Sequence, residues 1–176
     1  MSRSVLVAGI GNIFQGDDAF GVAVAQKLGA IALPENVRVM DFGIRSIDLC
    51  FALLDGYDLT ILVDTTARGG APGTLYTIEI QPGDVPEVSE EASIANSHGL
   101  NPVSVLALAK SMGAQFKTIL LIGCEPLMVE HDETGHIGLS EVVEAAVNPA
   151  VEMILNLIAE RNSNESKEEV CSHECI

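Results

Sequence analysis

The sequence predicts an α/β fold, a three-layer sandwich in which helices cover both faces of a largely parallel central sheet. Three largely apolar runs of strand length, at residues 5–10, 59–63 and 118–124, are typical of parallel strands covered on both faces, and the first of them is continuously apolar. Segments with helical spacing or helix-start signals alternate with the strands. Because 48% of the 176 residues are hydrophobic, the chain can bury a sizeable core as one domain.

The first half of the chain alternates predicted strands and helices. After the strand at 5–10 and a loop at 11–18, apolar residues recur with helical spacing from Phe20 to Leu28. Residues 37–42 are a second predicted strand, residues 47–54 a short helix, and residues 58–64 a third strand. The turn Ala71-Pro72-Gly73 leads into residues 74–80, whose alternation predicts an edge strand.

In the second half, Asn101 and Pro102 predict a helix that runs through Met112, with Asn101 at the N-cap and Pro102 in the first turn. A buried strand is predicted at 118–124.

The final helical region has two possible starts. Ser140 can cap a short helical segment, but Val143 three residues later excludes a capping box. Pro149 is expected to interrupt any helix that runs through it, because proline lacks an N–H donor. Asn148 can cap a new helix at that point, so we predict the main final helix from about Pro149 to Glu160.

The chain contains no internal repeat and no linker, so residues 1–161 are predicted to form a single domain. Residues 162–176 are polar and acidic until Val170, which predicts a disordered C-terminal tail. Cys171, His173 and Cys175 in this tail could bind a metal, although disorder is the commoner explanation of such a composition. A second metal site at His131 and His136, which flank a predicted exposed turn, is similarly disfavoured.

The formal net charge of −16 argues against nucleic acid as a partner, since phosphates bind basic surfaces. It argues equally against docking on an anionic membrane. No signal peptide and no run of about 18 apolar residues is visible, which predicts a cytoplasmic protein. Cys50 and Cys124 lie in apolar segments and are interpreted as small buried hydrophobic residues in a reducing compartment.

Three polar positions follow predicted strands or lie on loops near the carboxyl ends of strands, where α/β sheets place their functional groups. They are the pair Asp17-Asp18, Asp64 at the end of the third strand, and His98 in the loop before Pro102. Two carboxylates and an imidazole suit a divalent ion such as nickel or zinc, and three protein ligands leave positions open for a substrate. Taken separately, Asp64, Asp17 or Asp18 could instead cap a helix or turn, and His98 could be a surface residue.

Two other interpretations of these segments fail on details. Gly9-x-Gly11 resembles a dinucleotide fingerprint, but Phe14 replaces its third glycine and Asp17-Asp18 would repel a pyrophosphate. Asp64-Thr65-Thr66 resembles the loop of pepsin-like aspartic proteases, which need two such aspartates sharing a proton. This chain has one copy of that loop, in an α/β setting.

Taken together, these segments resemble the hydrogenase maturation endopeptidases from Val5 to about Ile158. The matching motifs, in chain order, are Gly9-Ile10-Gly11-Asn12, Asp17-Asp18 with Gly21, Asp64 at a strand end, Ser97-His98, Gly123-Cys124-Glu125-Pro126 and Gly138-Leu139-Ser140. The chain departs from many relatives at Ala19, where they have glycine, and at Asp41-Phe42-Gly43, where they often have Asp-Gly-Gly-Thr.

The resemblance implies a peptidase, classed as aspartic-type, that trims the C-terminal extension of the nickel-loaded large-subunit precursor of a [NiFe] hydrogenase. It implies that Asp18, Asp64 and His98 are the catalytic and nickel-contacting residues. The Ni(II) would be carried by the substrate rather than held permanently by the enzyme. The loop with Asp41 and Gly43 is implied in substrate binding. The alternative from another class is a non-catalytic protein that delivers nickel with the same three residues.

Overall fold

The computed structural model describes residues 3–87, 102–127 and 137–173, with side chains as far as Arg161. In chain order the elements are β1 (Val5–Ile10), α1 (Phe20–Gly29), β2 (Val37–Gly43), α2 (Ser46–Leu53), β3 (Leu59–Thr65), β4 (Leu75–Ile80), α3 (Pro102–Ser111), β5 (Thr118–Cys124) and α4 (Glu141–His173). Short 3-10 turns lie at Gly16–Ala19 and Pro82–Asp84. The strands and helices predicted as far as Cys124 are confirmed, while the predicted cap Asn101 lies outside the described residues.

The five strands form one sheet in the order β2-β1-β3-β5-β4. The first four strands in that order run parallel, and β4 pairs with β5 in the antiparallel direction. The position of β4 at an edge of the sheet confirms the prediction made from its alternation. The carboxyl ends of β2, β1, β3 and β5 therefore lie along the same side of the sheet. Candidate functional residues that follow these strands are brought together there.

Each face of the sheet is covered by a helical layer, which confirms the three-layer sandwich. Val5 and Val7 of β1 point to one face and pack in a core cluster with residues of α1 and α4. Leu6, Ala8 and Ile10 point to the other face and pack with residues of α2 and α3. Because β1 is buried on both faces, its sequence is continuously apolar instead of alternating.

The predicted start of the final helix at Pro149 is wrong. The helix α4 begins at Glu141, directly after Ser140, and continues through Pro149. A proline inside a helix removes one hydrogen bond to the carbonyl four residues earlier, which here is Ala145. Both Ala145 and Pro149 are exposed, so water can bind that carbonyl, while Val143, Ala146, Val147, Ala150 and Ile154 bury the opposite face of the helix in the core.

The predicted helix end near Glu160 is also wrong, because the backbone of α4 is helical to His173. Part of the region that we predicted to be disordered therefore continues the helix. No proline or glycine follows Pro149 in the sequence, and the glutamate and lysine residues beyond Asn162 favour helix. The side chains of the predicted tail, including Cys171, His173 and Cys175, lie outside the described residues. The division into a domain at 1–161 and a tail remains a prediction.

One segment of α4, Glu141–Arg161, is long and apolar enough to cross a membrane by length and composition alone. A core helix of a globular domain meets the same criteria. Here the segment contributes seven buried residues to the core beside α1, from Val143 to Ile158. Its apolar character is therefore explained by packing on the sheet.

Candidate active site

The 3-10 turn Gly16–Ala19 joins β1 to α1 and carries Asp18 toward the end of β3. Asp18 Oδ2 accepts a hydrogen bond from the Asn12 backbone N–H at 2.7 Å. Its Oδ1 accepts one from Thr65 Oγ1 at 3.1 Å. The N-cap position of α1 is Ala19, without a side-chain capping bond, so Asp18 does not cap that helix. Its carboxylate instead links the loop after β1 to the end of β3.

Asp64 lies at the end of β3 and is 5% exposed. Its Oδ1 accepts a hydrogen bond from the adjacent Thr65 N–H at 2.8 Å, which is a local contact and caps no helix. Burial, and then the nearby charge of Asp18, raise the pKa of Asp64 to about 8. The sequence prediction that Asp18 and Asp64 lie together is therefore confirmed.

Close backbone packing positions the turn that carries Asp18. A Cβ added to Gly21, at the start of α1, would overlap the carbonyl oxygens of Val63 and Ile10. Gly11 has a φ of +139°, and a Cβ there would overlap the Asp18 carbonyl oxygen. Without these two glycines the first turn of α1 could not approach β1 and β3 so closely. The glycines of the sequence motif thus bring Asp18 to Asp64.

Asp17, the other member of the acidic pair, points away from this site and is 2% exposed. Its Oδ2 accepts from the Leu127 backbone N–H at 2.8 Å and from Ser140 Oγ at 3.0 Å, and its Oδ1 accepts from the Ser140 N–H at 2.7 Å. Asp17 therefore joins the turn after β1 to the chain after β5 and to the start of α4. These partners lie more than 100 residues away in the sequence, so no local pattern could have revealed them.

Glu125, in the motif Gly123-Cys124-Glu125-Pro126, is a buried acid for which we predicted no role from the sequence. It is 5% exposed, and its carboxylate accepts from the backbone N–H groups of Arg68 and Gly69 and, at 2.8 Å, from Tyr76 Oη. These bonds, the one from Arg68 above all, lower the pKa of Glu125 below its usual range. Glu125 therefore anchors the loop that follows Asp64, and the Gly-x-x-Pro motif around it was the available signal.

The predicted substrate-binding residues Asp41 and Gly43 lie at the end of β2, beside the turn that holds Asp18. Asp41 Oδ2 accepts a hydrogen bond from Gln26 Nε2 of α1 at 3.2 Å. Gly43 has a φ of +53°, which favours glycine, and its carbonyl accepts from the Gly11 N–H at 3.1 Å. The loop after β2 therefore borders the site, and a role in substrate binding stays a prediction.

The third predicted ligand, His98, lies outside the described residues, as do His131 and His136. Within the described part of the chain, no group of three or more His, Cys, Asp or Glu side chains could hold a metal ion. Asp18 and Asp64 supply two carboxylates at one place, which is an incomplete ligand set by themselves.

Cys50 and Cys124 are buried free thiols, as predicted. Burial, followed by the charges of Asp17 and Glu125, raises the pKa of Cys124 to about 11. A thiol with such a pKa is a poor nucleophile near neutral pH, so Cys124 is a packing residue beside the site.

The chain is similar to known proteins over most of its length. Residues 22–157 match the family model described as hydrogenase maturation protease. The hydrogenase 2 maturation protease of Escherichia coli K12 is 30% identical over 157 residues, which cover 89% of this chain and 91% of that protein. A hydrogenase expression/formation protein of Azotobacter chroococcum is 35% identical over 161 residues, which cover 91% of this chain and 74% of that protein.

Solved structures agree with these sequence comparisons. The hydrogenase maturating endopeptidase HybD of Escherichia coli superposes with a TM-score of 0.71 at 29% identity, covering 89% of this chain and 93% of the other. A hydrogenase 2 maturation peptidase from Thaumarchaeota archaeon SCGC_AB-539-E09 superposes with a TM-score of 0.67 at 32% identity, covering 89% and 99% of the two chains. The chain therefore belongs to the hydrogenase maturation protease family and is a peptidase.

Proposed function

We propose that this peptidase removes the C-terminal extension of the nickel-loaded large-subunit precursor of a [NiFe] hydrogenase. The observation that carries the proposal is the pairing of Asp18 with Asp64 at the carboxyl edge of the sheet, each held by backbone or hydroxyl donors. The relatives named as hydrogenase 2 maturation proteases support the choice of substrate class. The proposed setting is the cytoplasm, where reduced thiols such as Cys50 persist.

In this proposal nickel belongs to the substrate and is contacted by Asp18, Asp64 and His98. A divalent cation favours the ionised form of a carboxyl group, so the arrival of nickel would release the proton that burial keeps on Asp64. Both carboxylates could then contact the ion, and the scissile bond attached to it would be held beside them. Much of the rate gain would come from this positioning.

The hydrolytic step needs one water molecule and a group that moves a proton. Water attacks the carbonyl carbon of the scissile peptide bond, and a carboxylate of the aspartate pair takes the water proton. The C–N bond then breaks as the same proton is delivered to the leaving nitrogen. The products are the shortened subunit, with a new carboxylate, and the free C-terminal peptide. This chemistry agrees with an aspartic-type peptidase, which we propose on the basis of the paired acids.

Intact mass spectrometry of a large-subunit precursor tests the proposal. The precursor is incubated with the wild-type protein, once loaded with nickel and once nickel-free. The expected result is a mass loss equal to one C-terminal peptide in the loaded sample alone. Asp64→Asn is the matched inactive variant, and Asp55→Asn, at an exposed ion pair with Arg38, is the matched active control.

Two outcomes would contradict the proposal. Equal cleavage of the nickel-free precursor would show that the enzyme does not need nickel to recognise its substrate. Absence of cleavage, together with stoichiometric nickel retained by this chain, would favour a protein that delivers the metal.

A further inference from the structure

Five large apolar side chains are exposed on the segments that directly follow β1 and β2. Ile13 and Phe14 follow β1 and are 48% and 59% exposed. Ile44 follows β2, and Ile47 and Phe51 lie on α2, with exposures of 60%, 53% and 57%. We refer to these five residues as the apolar rim. Packing of α2 does not require the exposed side chains of Ile47 and Phe51, because α2 already packs on the sheet through Leu49, Cys50 and Leu53.

The rim is continuous with the proposed active site. The Gly11 N–H donates to the Gly43 carbonyl at 3.1 Å, which joins the loop of Ile13 and Phe14 to the loop of Ile44. In the same loop the Asn12 N–H donates to Asp18. Ile47 and Phe51 are four residues apart on α2 and therefore share one helix face, which leads away from the site.

The rim also differs in charge from the rest of the molecule. The whole chain has a net charge of −16. Residues 10–16 contain no charged side chain, and residues 43–54 contain Arg45 and Asp48, which pair with each other at 3.6 Å. A largely apolar surface whose two charged side chains pair with each other suits contact with another protein, because burying it leaves no unpaired charge.

We propose that the apolar rim is the docking surface for the folded body of the large-subunit precursor, while the C-terminal extension of that precursor enters the site at Asp18 and Asp64. This inference rests on the proposed function and adds to it where the substrate binds. A protein substrate that reaches the carboxyl edge of the sheet must contact the residues that border it. The rim is one exposed apolar part of that border, and Leu127 beyond β5 is another.

The test uses single-turnover processing of nickel-loaded precursor, with enzyme in excess, by Ile47→Glu, Phe51→Glu and the double variant. The enzyme concentration that gives half the limiting rate should rise by about tenfold or more in the double variant, because it replaces two apolar contacts with charges that would be buried unpaired. The limiting rate should stay within about twofold, since neither residue touches the aspartate pair. Ile31→Glu is the matched control. Ile31 is 44% exposed and lies between α1 and β2, at the amino ends of the parallel strands.

The outcomes separate this inference from the proposed function. If the wild type processes no loaded precursor, the proposed function fails. If the wild type and all variants process it with equal half-saturating concentrations, the docking surface alone is wrong. Ile47→Gln and Phe51→Gln test the same surface without added charge.

Two further results would overturn the docking surface. A fall in melting temperature confined to the rim variants would mean that this chain itself covers the rim. A dimer that the rim variants dissociate, with unchanged half-saturating concentration, would assign the rim to self-association.

Discussion

Asp18 and Asp64 differ in their surroundings although they form one site. Asp18 accepts bonds at both oxygens from a backbone amide and a hydroxyl group. Asp64 is almost fully buried, and its pKa is raised to about 8. Burial of a carboxyl group beside a second acid disfavours folding when both are charged, so a structural role for this pair is a poor explanation. A functional role accounts better for the arrangement.

Replacing Asp64 with Asn should abolish processing without lowering the stability of the fold. The amide keeps the shape of the side chain and removes a charge that burial and Asp18 disfavour. We expect precursor processing to fall by at least about 100-fold. The melting temperature of the metal-free protein at pH 8–9 should equal or exceed that of the wild type. Mass spectrometry and differential scanning calorimetry measure the two effects. A variant that unfolds would instead indicate a structural role for Asp64.

Replacing Asp17 with Asn should mainly affect stability. An amide has one acceptor oxygen, whereas both oxygens of Asp17 accept bonds from Leu127 and Ser140. We expect the free energy of unfolding to decrease by about 1–3 kcal/mol, measured by urea denaturation. Ser140→Ala removes the hydroxyl donor alone and should cost about 1 kcal/mol. Equal stability of wild type and Asp17→Asn would contradict the anchoring role.

At the scale of elements, the approach of α1 to the sheet depends on glycine. An added Cβ at Gly21 would overlap two backbone carbonyl oxygens, and backbone cannot move aside as a flexible side chain can. A Cβ at Gly29, in the last turn of the same helix, would meet no atom within 4 Å. Close packing therefore requires glycine at position 21, whereas packing does not require it at position 29.

We expect Gly21→Ala to lower the free energy of unfolding by at least about 2 kcal/mol, because α1 must move away from β1 and β3. Gly29→Ala should instead raise it by about 0.5–1 kcal/mol, since alanine is the better helix former. Chemical denaturation of both variants provides the measurement. The opposite order of stabilities would show that α1 does not approach the sheet as described.

The helix α4 provides the second prediction at this scale. Pro149 lies inside the helix and is exposed, so alanine can replace it without a clash and restore the bond to the Ala145 carbonyl. We expect Pro149→Ala to stabilise the protein by about 1–2 kcal/mol, measured by urea denaturation. Destabilisation would show that the proline is required for a bend or a packing contact of α4.

At the scale of the whole molecule, the two ends of the parallel strands have different roles. The site lies at the carboxyl ends of the parallel strands, and Asp58 links the strands at their amino ends. Asp58 Oδ2 accepts from the Ser4 N–H and hydroxyl groups, and its Oδ1 pairs with Lys117 Nζ at 2.6 Å. Ser4, Asp58 and Lys117 directly precede β1, β3 and β5. This cluster therefore joins the starts of three strands.

Asp58→Asn should change stability with pH. Lys117 lowers the pKa of Asp58, so its ionised form stabilises the fold above the unfolded-state pKa, and this contribution is lost as the pH falls through the folded-state pKa. The variant should be less stable than the wild type at pH 7, by about 1 kcal/mol or less since Lys117 is exposed. The difference should shrink between pH 7 and about pH 2, as the pH falls through the lowered folded-state pKa. Thermal unfolding at both pH values measures it, and unchanged processing at pH 7 is the control.

The α/β class, the strands and helices up to Cys124 and the position of the Asp17-Asp18 pair near Asp64 could all be predicted from the sequence. Continuous apolar runs require burial on both faces, and parallel strands bring their carboxyl ends to one edge. These inferences need only local pattern and one rule of topology. The order of the motifs along the chain also predicted the family, which the comparisons with known proteins confirmed.

The different roles of the neighbouring acids and the course of the last helix depend on tertiary contacts. Asp17 and Asp18 are adjacent in the sequence, but one points to Leu127 and Ser140 and the other to Thr65. Pro149 remains within a helix because the buried face of α4 outweighs one missing hydrogen bond. Both outcomes depend on partners distant in the chain, and long-range contacts of this kind leave no signal in local spacing or propensity.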